Sequence, residues 1–320
     1  MMKKLFLLFL LALLPMVASA LNYQIKGIYY ILDTSNKLAT VTNSSFGTDA
    51  GNSTDSYSGD VEIPASVYYN GSTYEVTSIG NTAFYLCNSL TSVTIPNSVT
   101  SIGNSAFYAC RSLTSVTIPS YLKSIGEGAF AYCHSLTTVT IPHSVKSIER
   151  AVFLRCSSLT SIKIPDSVTS IGEEAFAYCS SLTSITIPAS VKGIGEEAFA
   201  YCNSLTSVTS LIQNPFVINE NVFYSESNNS TYKRATLYVP IGKKAVYSST
   251  AAWNMFEKIE EYVMPGDVNL DAAVDVADIA TIIDVMAGKA PEYKGQADVN
   301  KDHTIDVADI ANVIDIMSGK

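Results

Sequence analysis

Six cysteines stand at positions 87, 110, 133, 156, 179 and 202, one every 23 residues without exception. The same period governs Leu90, Leu113, Leu136, Leu159, Leu182 and Leu205, and also Phe107, Phe130, Phe153, Phe176 and Phe199. Self-similarity at a fixed period of roughly 20 to 50 residues is the sequence signature of a solenoid, in which each coil buries its apolar face against its neighbours. The expected fold class is therefore mostly β, a solenoid of 23-residue coils with end caps.

Within one coil, Leu90-Thr91-Ser92-Val93-Thr94-Ile95 matches the L-x-x-L-x-L signature of leucine-rich repeats. Leu90, Val93 and Ile95 point inward from a short strand, and Pro96 ends it, as Pro119, Pro142, Pro165 and Pro188 do later. The return segment carries Val99, Ile102, Ala106 and Phe107 on the opposite wall. A handful of buried side chains gives back less than ordering a whole coil costs. A lone coil cannot fold, and stability must come from stacking and from the caps.

Lys3 and Lys4, the apolar run Leu5 to Leu14, and the small residues Ala18, Ser19 and Ala20 read as a secretory signal peptide over 1–20. No later segment has the length and apolarity to span a bilayer. The balance of 20 basic against 29 acidic residues argues against nucleic acid as a partner. Export and an even cysteine count suggest disulfides, but each cysteine occupies one site in its coil, where a small apolar side chain fills the interior. The reading is buried free thiols, although adjacent coils are close enough that pairing is geometrically open.

The caps show as breaks in the period. Residues 21–60 hold a hairpin, Ile28 to Ile31 against Leu38 to Val41 around Thr34-Ser35-Asn36, then a Ser/Gly/Asn/Asp-rich loop from Asn43 to Asp60. The repeat region spans 61–210, and its first coil is lengthened by a hairpin at Asn70-Gly71. Residues 211–262, with Trp253 and Phe256, form the closing cap.

The recurring motif S-L-T-S-[VI]-T-I-P-x-S-V-x-x-I-G-x-x-A-F-x-x-C resembles the BspA-like family of bacterial leucine-rich-repeat surface proteins, from about Tyr23 to Tyr262. The coil at Ile148-Glu149-Arg150-Ala151-Val152-Phe153 departs from it by losing the glycine and the alanine. The resemblance implies binding or adhesion at a bacterial surface, without catalysis, and leaves the ligand open.

A second pattern begins at Gly266. Asp267, Asn269, Asp271, Asp275 and Asp278 stand at positions 1, 3, 5, 9 and 12 of a loop, with the Ala273 carbonyl at position 7. That spacing lets one tight loop wrap a hard cation in oxygens. Asp298, Asn300, Asp302, Asp306 and Asp309, with Thr304 at position 7, repeat it 31 residues later. Each loop runs into a helix with an apolar stripe: Ile279, Ile282, Ile283 and Met286, then Ile310, Val313, Ile314 and Met317. Two calcium sites are expected.

This duplicated loop-helix over 266–320 resembles a small all-α type I dockerin, the module that plugs into cohesin domains of polysaccharide-degrading assemblies. By that resemblance the partner-reading positions are Val276 and Ala277 in one half and Val307 and Ala308 in the other. Being identical, they allow docking in either of two orientations. A calcium-stabilised tail without a cohesin partner is the alternative. Position 6, usually glycine, is Ala272 in one loop and His303 in the other.

Catalysis has little support. His134 and His143 sit at variable repeat positions and His303 lies in a loop, so no nucleophile and base pair up. Glu173-Glu174 and Glu196-Glu197 recur at one repeat position, as a solvated edge does. Ser92, Thr94, Ser115 and Thr117 put hydroxyls on the outer strand face, where an ice-binding surface is the sharp reading and ordinary strand propensity the plain one. Tyr132, Tyr178 and Tyr201 form a partial ladder covering the core edge. The sequence thus reads as an exported, non-enzymatic protein that binds a protein or glycan and attaches through a calcium-dependent module. An accessory component of a polysaccharide-degrading assembly and a structural surface-layer protein are the alternatives.

Overall fold

The computed structural model describes residues 22–43, 57–225, 230–262, 266–270 and 274–318. The signal segment, most of the Ser/Gly/Asn-rich loop, the Met264-Pro265 link and residues Asp271, Ala272 and Ala273 lie outside the described residues.

The chain opens with β1 (Asn22–Ile25), β2 (Ile28–Asp33) and β3 (Leu38–Thr42), an antiparallel meander. β4 (Gly59–Glu62) starts the first coil, and β5 (Ser66–Tyr69) with β6 (Ser72–Ile79) forms the hairpin expected at Asn70-Gly71. Those two residues take φ of 45° and 77°, the type I′ turn whose twist suits a two-residue hairpin. The meander joins the coils because β3 pairs parallel with β6. The loop expected to run to Asp60 ends sooner: Tyr57 is buried, its hydroxyl donates to the Thr42 carbonyl, and Gly59 already belongs to β4.

Beyond this point the coils build parallel ladders in 23-residue register. On the front wall β7 (Leu90–Thr94) pairs with β4 and with β9 (Ser115–Thr117), Ser92 meeting Ser115. On the return wall β8 (Ser101–Ile102) joins β6 to β10 (Ser124–Ile125), while β11 (Ser147–Ile148), β12 (Ser170–Ile171) and β14 (Gly193–Ile194) form a separate sheet. A third wall is built from turns. The N–H groups of Thr82, Phe84 and Leu86 donate to the carbonyls of Asn104, Ala106 and Tyr108 one coil on, and this triple bond set recurs down the array. The positions two residues either side of each phenylalanine are left-handed: Thr82, Ser105, Ala151, Glu174 and Glu197 before it, and Leu86, Ala109, Tyr132, Arg155, Tyr178 and Tyr201 after it, all have φ between 52° and 62°.

Inside, Phe84, Phe107, Phe130, Phe153, Phe176, Phe199 and Phe223 stack ring on ring. All six cysteines are buried thiols that take part in no disulfide. From Cys110 on, each thiol donates to the phenylalanine carbonyl of the preceding coil, Cys156 to Phe130 at 3.2 Å for example.

The ladders are not continuous, and the break in the return wall falls where one junction glycine is replaced. Gly103, Gly126, Gly172 and Gly195 sit where adjacent coils touch, so a Cβ on Gly126 would lie 2.6 Å from the Asn104 nitrogen. Glu149 takes that place in the irregular coil. There β10 and β11 do not pair, and the return wall splits into two sheets. The front wall thins alongside it to a single bridge, Thr140 to Lys163, rather than a strand in every coil. The Phe130–Phe153 ring spacing, 5.7 Å, is the widest in the stack, while the turn wall crosses the gap intact through Gly128, Phe130 and Tyr132.

The array closes by turning rings edge-on. β13 (Ser184–Ile187) and β15 (Ser207–Ser210) restore the front wall, and two strands beyond the sequence repeat extend it: β16 (Thr236–Pro240) pairs with β15, and β17 (Lys258–Tyr262) pairs with β16. Short helices α1 (Thr231–Arg234) and α2 (Lys244–Ser249) connect them. Phe223, the last stacked ring, meets Tyr232 at 77° and Phe256 at 71°. An edge-to-face contact offers no parallel face for another ring, so the stack ends there. At the other end Tyr57 tilts by 45° onto Phe84.

The C-terminal segment has its own small core, Val268, Ile282, Ala297 and Val313. Helices α3 (Val276–Met286) and α5 (Val307–Ser318) carry Ile282 and Val313 of it, and the single turn α4 (Lys294–Ala297) between them carries Ala297.

Candidate metal centre and docking face

The two C-terminal loops share one hydrogen-bond scheme. Asp278 and Asp309, at position 12 of each loop, are fully buried. The Asp278 carboxylate accepts from the Val268, Asn269 and Asp275 amides at 2.7, 3.2 and 2.8 Å. Asp309 accepts from Val299, Asn300 and Asp306 at 2.7, 3.1 and 2.9 Å. Each aspartate thereby ties the start of its loop to the helix it opens. Asp275 and Asp306 cap those helices, accepting from the amides of Ala277 and Ala308, both at 2.7 Å. In the first helix Asp275 and Asp278 complete a capping box, which satisfies amides that a helix start otherwise leaves open.

Asp267 is buried and Asn269 half-buried at the entrance of the first loop; Asp271 and Ala273 lie outside the described residues. In the second loop the Asp298 carboxylate accepts from the Asp302 and His303 amides, and Asn300 donates to Asp302. The Thr304 hydroxyl and amide, with Asn300, hold the Asp302 carboxyl below the usual carboxylate range. His303, at position 6, has φ of 71°, the left-handed turn for which glycine is the ordinary choice. Among the described residues no three acidic, histidine or cysteine side chains converge on one point, because these carboxylates face donors of their own loops. The donor set is nonetheless all oxygen from carboxylate, amide and carbonyl groups, the chemistry that hard cations take.

The positions expected to read a partner are outward: Val276 is 70% exposed and Val307 71%. Ala277 is exposed and Ala308 half-buried beside them. The apolar stripes of the two helices are split between core and solvent. Ile282 and Val313 are buried, whereas Ile283 and Met286, and their counterparts Ile314 and Met317, stand in solvent. Ile283 follows Val276 by seven residues, as Ile314 follows Val307, and seven residues is close to two helical turns. Each helix therefore presents one exposed apolar strip of paired positions.

On the coils, a second aromatic ladder runs along the edge: Tyr85 on Tyr108, Tyr108 against Tyr132, Arg155 over both Tyr132 and Tyr178, and Tyr178 on Tyr201. Sequence reading found only Tyr132, Tyr178 and Tyr201, because the first two rings come one residue after phenylalanine and the later ones two.

The family description "BspA type Leucine rich repeat region" matches residues 77–206 and 146–263 in six copies, and "Dockerin type I domain" matches 265–318. No curated protein matches the chain. Among solved structures, the chain is similar to a leucine rich cell surface protein from Faecalibacterium prausnitzii, with 30% identity over 78% of this chain and 81% of that one and a TM-score of 0.48. It is similar to a leucine-rich repeat protein from Bacteroides ovatus, 27% identical over 68% and 55% with a TM-score of 0.43. A leucine rich repeat protein from T. pallidum is 26% identical over 59% and 71%, with a TM-score of 0.37. Dockerin type I domains bind calcium and have cohesin-type protein partners. Among the described residues no helix is long and apolar enough to cross a membrane. The chain belongs to the BspA type leucine rich repeat family and carries a dockerin type I domain at residues 265–318.

Proposed function

We propose that this is an exported bacterial binding protein, secreted or held at the cell surface, with no catalytic role. Its coils form one solenoid that contacts a protein or glycan, and its C-terminal domain attaches it to a cohesin-type partner when calcium is bound. The matching hydrogen-bond schemes of the two loops carry this reading, since they give Val276 and Val307 equivalent settings. In each half the valine, the following alanine and the isoleucine two turns on make a strip that a partner can cover.

Two calcium ions fit the donor sets Asp267, Asn269, Asp271, Ala273, Asp275 and Asp278, and Asp298, Asn300, Asp302, Thr304, Asp306 and Asp309. Bound calcium supplies a charge around which carboxylates that otherwise repel can gather. The residues Asp278 and Asp309 then hold each loop closed onto its helix, so the docking strips depend on the metal for their orientation. Membership in a polysaccharide-degrading assembly is the form of attachment that the dockerin match favours.

The test is capture of a cohesin-type partner from the native organism's envelope, with calcium and with chelator. Val276→Asp with Ala277→Asp should leave capture nearly intact, because the other half can rotate into place. Adding Val307→Asp and Ala308→Asp should eliminate it. Capture that ignores both calcium and the fourfold variant would leave a stand-alone adhesin as the better account.

A further inference from the structure

The N-terminal end of the array holds a cavity of about 640 Å³, within the size range of small-ligand sites. Two hairpins line it. Ile25, Lys26 and Ile28 come from β1–β2, and Ser66, Val67 and Thr73 from β5–β6. Both hairpins turn through two residues of positive φ, Lys26 and Gly27 at 50° and 86° in the first, so tight turns fix the rim from both sides.

The lining divides by chemistry. Ile28 and Val67 are buried and apolar, and Tyr30 is fully buried with a hydroxyl that has no hydrogen-bond partner among the described residues. Burial pushes the Tyr30 pKa up to about 12, in keeping with a hydroxyl shut off from solvent. Lys26 and Glu62 stand at the mouth and cancel in charge, and Ser66 and Thr73 add hydroxyls. Tyr68, 69% exposed, leaves its ring open to solvent beside them.

We propose that this cavity binds the end of a neutral glycan, one or a few sugar rings. A sugar ring has an apolar C–H face to lie on Tyr68 and a rim of hydroxyls that both donate and accept. An anion would meet Glu62, a cation would meet Lys26, and a purely apolar ligand would leave the polar lining unpaired. An extended peptide is the competing class, since β5 pairs with β6 alone among the described strands. The edge is only four residues long, which offers such a peptide few backbone hydrogen bonds.

The proposal names the ligand class for the binding half of the function above and does not involve calcium. Calorimetry of the full chain with cellotriose, xylotriose and mannotriose, in calcium and in chelator, tests it. At least one sugar should bind saturably in both conditions. Tyr68→Ala should weaken it at least about tenfold, with melting unchanged because the side chain is exposed, and Tyr68→Phe should retain it. No binding by any of the three at millimolar concentration, an affinity indifferent to Tyr68→Ala, or displacement of bound sugar by an extended peptide would each overturn the assignment. Failure here with calcium-dependent capture intact leaves the docking reading standing, so the two can fail separately.

Discussion

The Cys133 thiol donates to the backbone carbonyl of Phe107, 26 residues earlier and one coil back, across 3.1 Å. A residue at this position must be small and apolar enough for the core and still carry a donor aimed along the stack. Cysteine meets both demands, and a weak S–H donor loses little by burial. The repetition of cysteine is thus accounted for without disulfides.

If the thiols are the reduced, buried groups described, native protein should react slowly with a thiol reagent. Denatured, unreduced protein should titrate close to six groups, the number in the sequence. Three disulfides would leave none. Cys156→Ala should cost about 1–3 kcal/mol in urea denaturation, from the lost contacts and the carbonyl left with one partner fewer.

Burial also sets the alkaline limit. It pushes the Cys133 and Cys202 thiols up to about 12 from an ordinary 9.0, and Tyr247 up to about 12 from 10.0. Folded pKa values above unfolded ones mean that the unfolded chain loses protons first as pH rises. This stabilising difference is complete below pH 9 and is lost progressively toward pH 12. Melting temperature should be level in pH through neutrality and fall steadily from about pH 9; a rise in that window would contradict the burial.

Glycine at the coil junctions separates two causes. Gly126→Ala puts a Cβ within 2.6 Å of the neighbouring backbone and should destabilise by about 1–3 kcal/mol. Gly193→Ala meets nothing within 4 Å and has no positive φ, so it should stabilise by about 0.4–1 kcal/mol through the unfolded state. Equal effects of the two in thermal denaturation would show that close approach is not what keeps glycine at the junction.

For the metal, Asp298→Ala with Asp302→Ala should abolish one of two calcium sites in calorimetry, leaving the other. Chelator should remove helical signal, because the four fully buried core residues of the C-terminal segment are too few to hold it without the ion. The strand signal should persist. Two undiminished sites in the double variant would refute the ligand assignment.

The period made the coils legible, since a repeated inward pattern needs no knowledge of neighbours. It failed wherever the structure left the period. Phe223 follows Phe199 by 24 residues rather than 23, so the last stacked ring fell outside the repeat. Tyr57, the opening ring, sits in a stretch whose composition reads as loop. Glu149 was visible as an irregularity, but not that the return wall would part there, because strand pairing depends on contacts between coils. At the C-terminal loops the spacing of carboxylates pointed to their chemistry. The split of Ile282 from Ile283 between core and solvent was not readable, because adjacent residues on a helix share one stripe until a partner helix defines its width.

Glu149 has a mechanical consequence for a protein held at one end and loaded at the other. With the return wall parted between Ile125 and Ser147, tension along the array meets the turn wall there and, on the front alongside, the single Thr140–Lys163 bridge, and the two halves act as springs in series with a more compliant joint. Under a steady pull the joint should yield before either half. Each 23-residue coil peeled from a half then adds about 80 Å of slack, so a sudden tug is absorbed as chain length before it reaches the attachment.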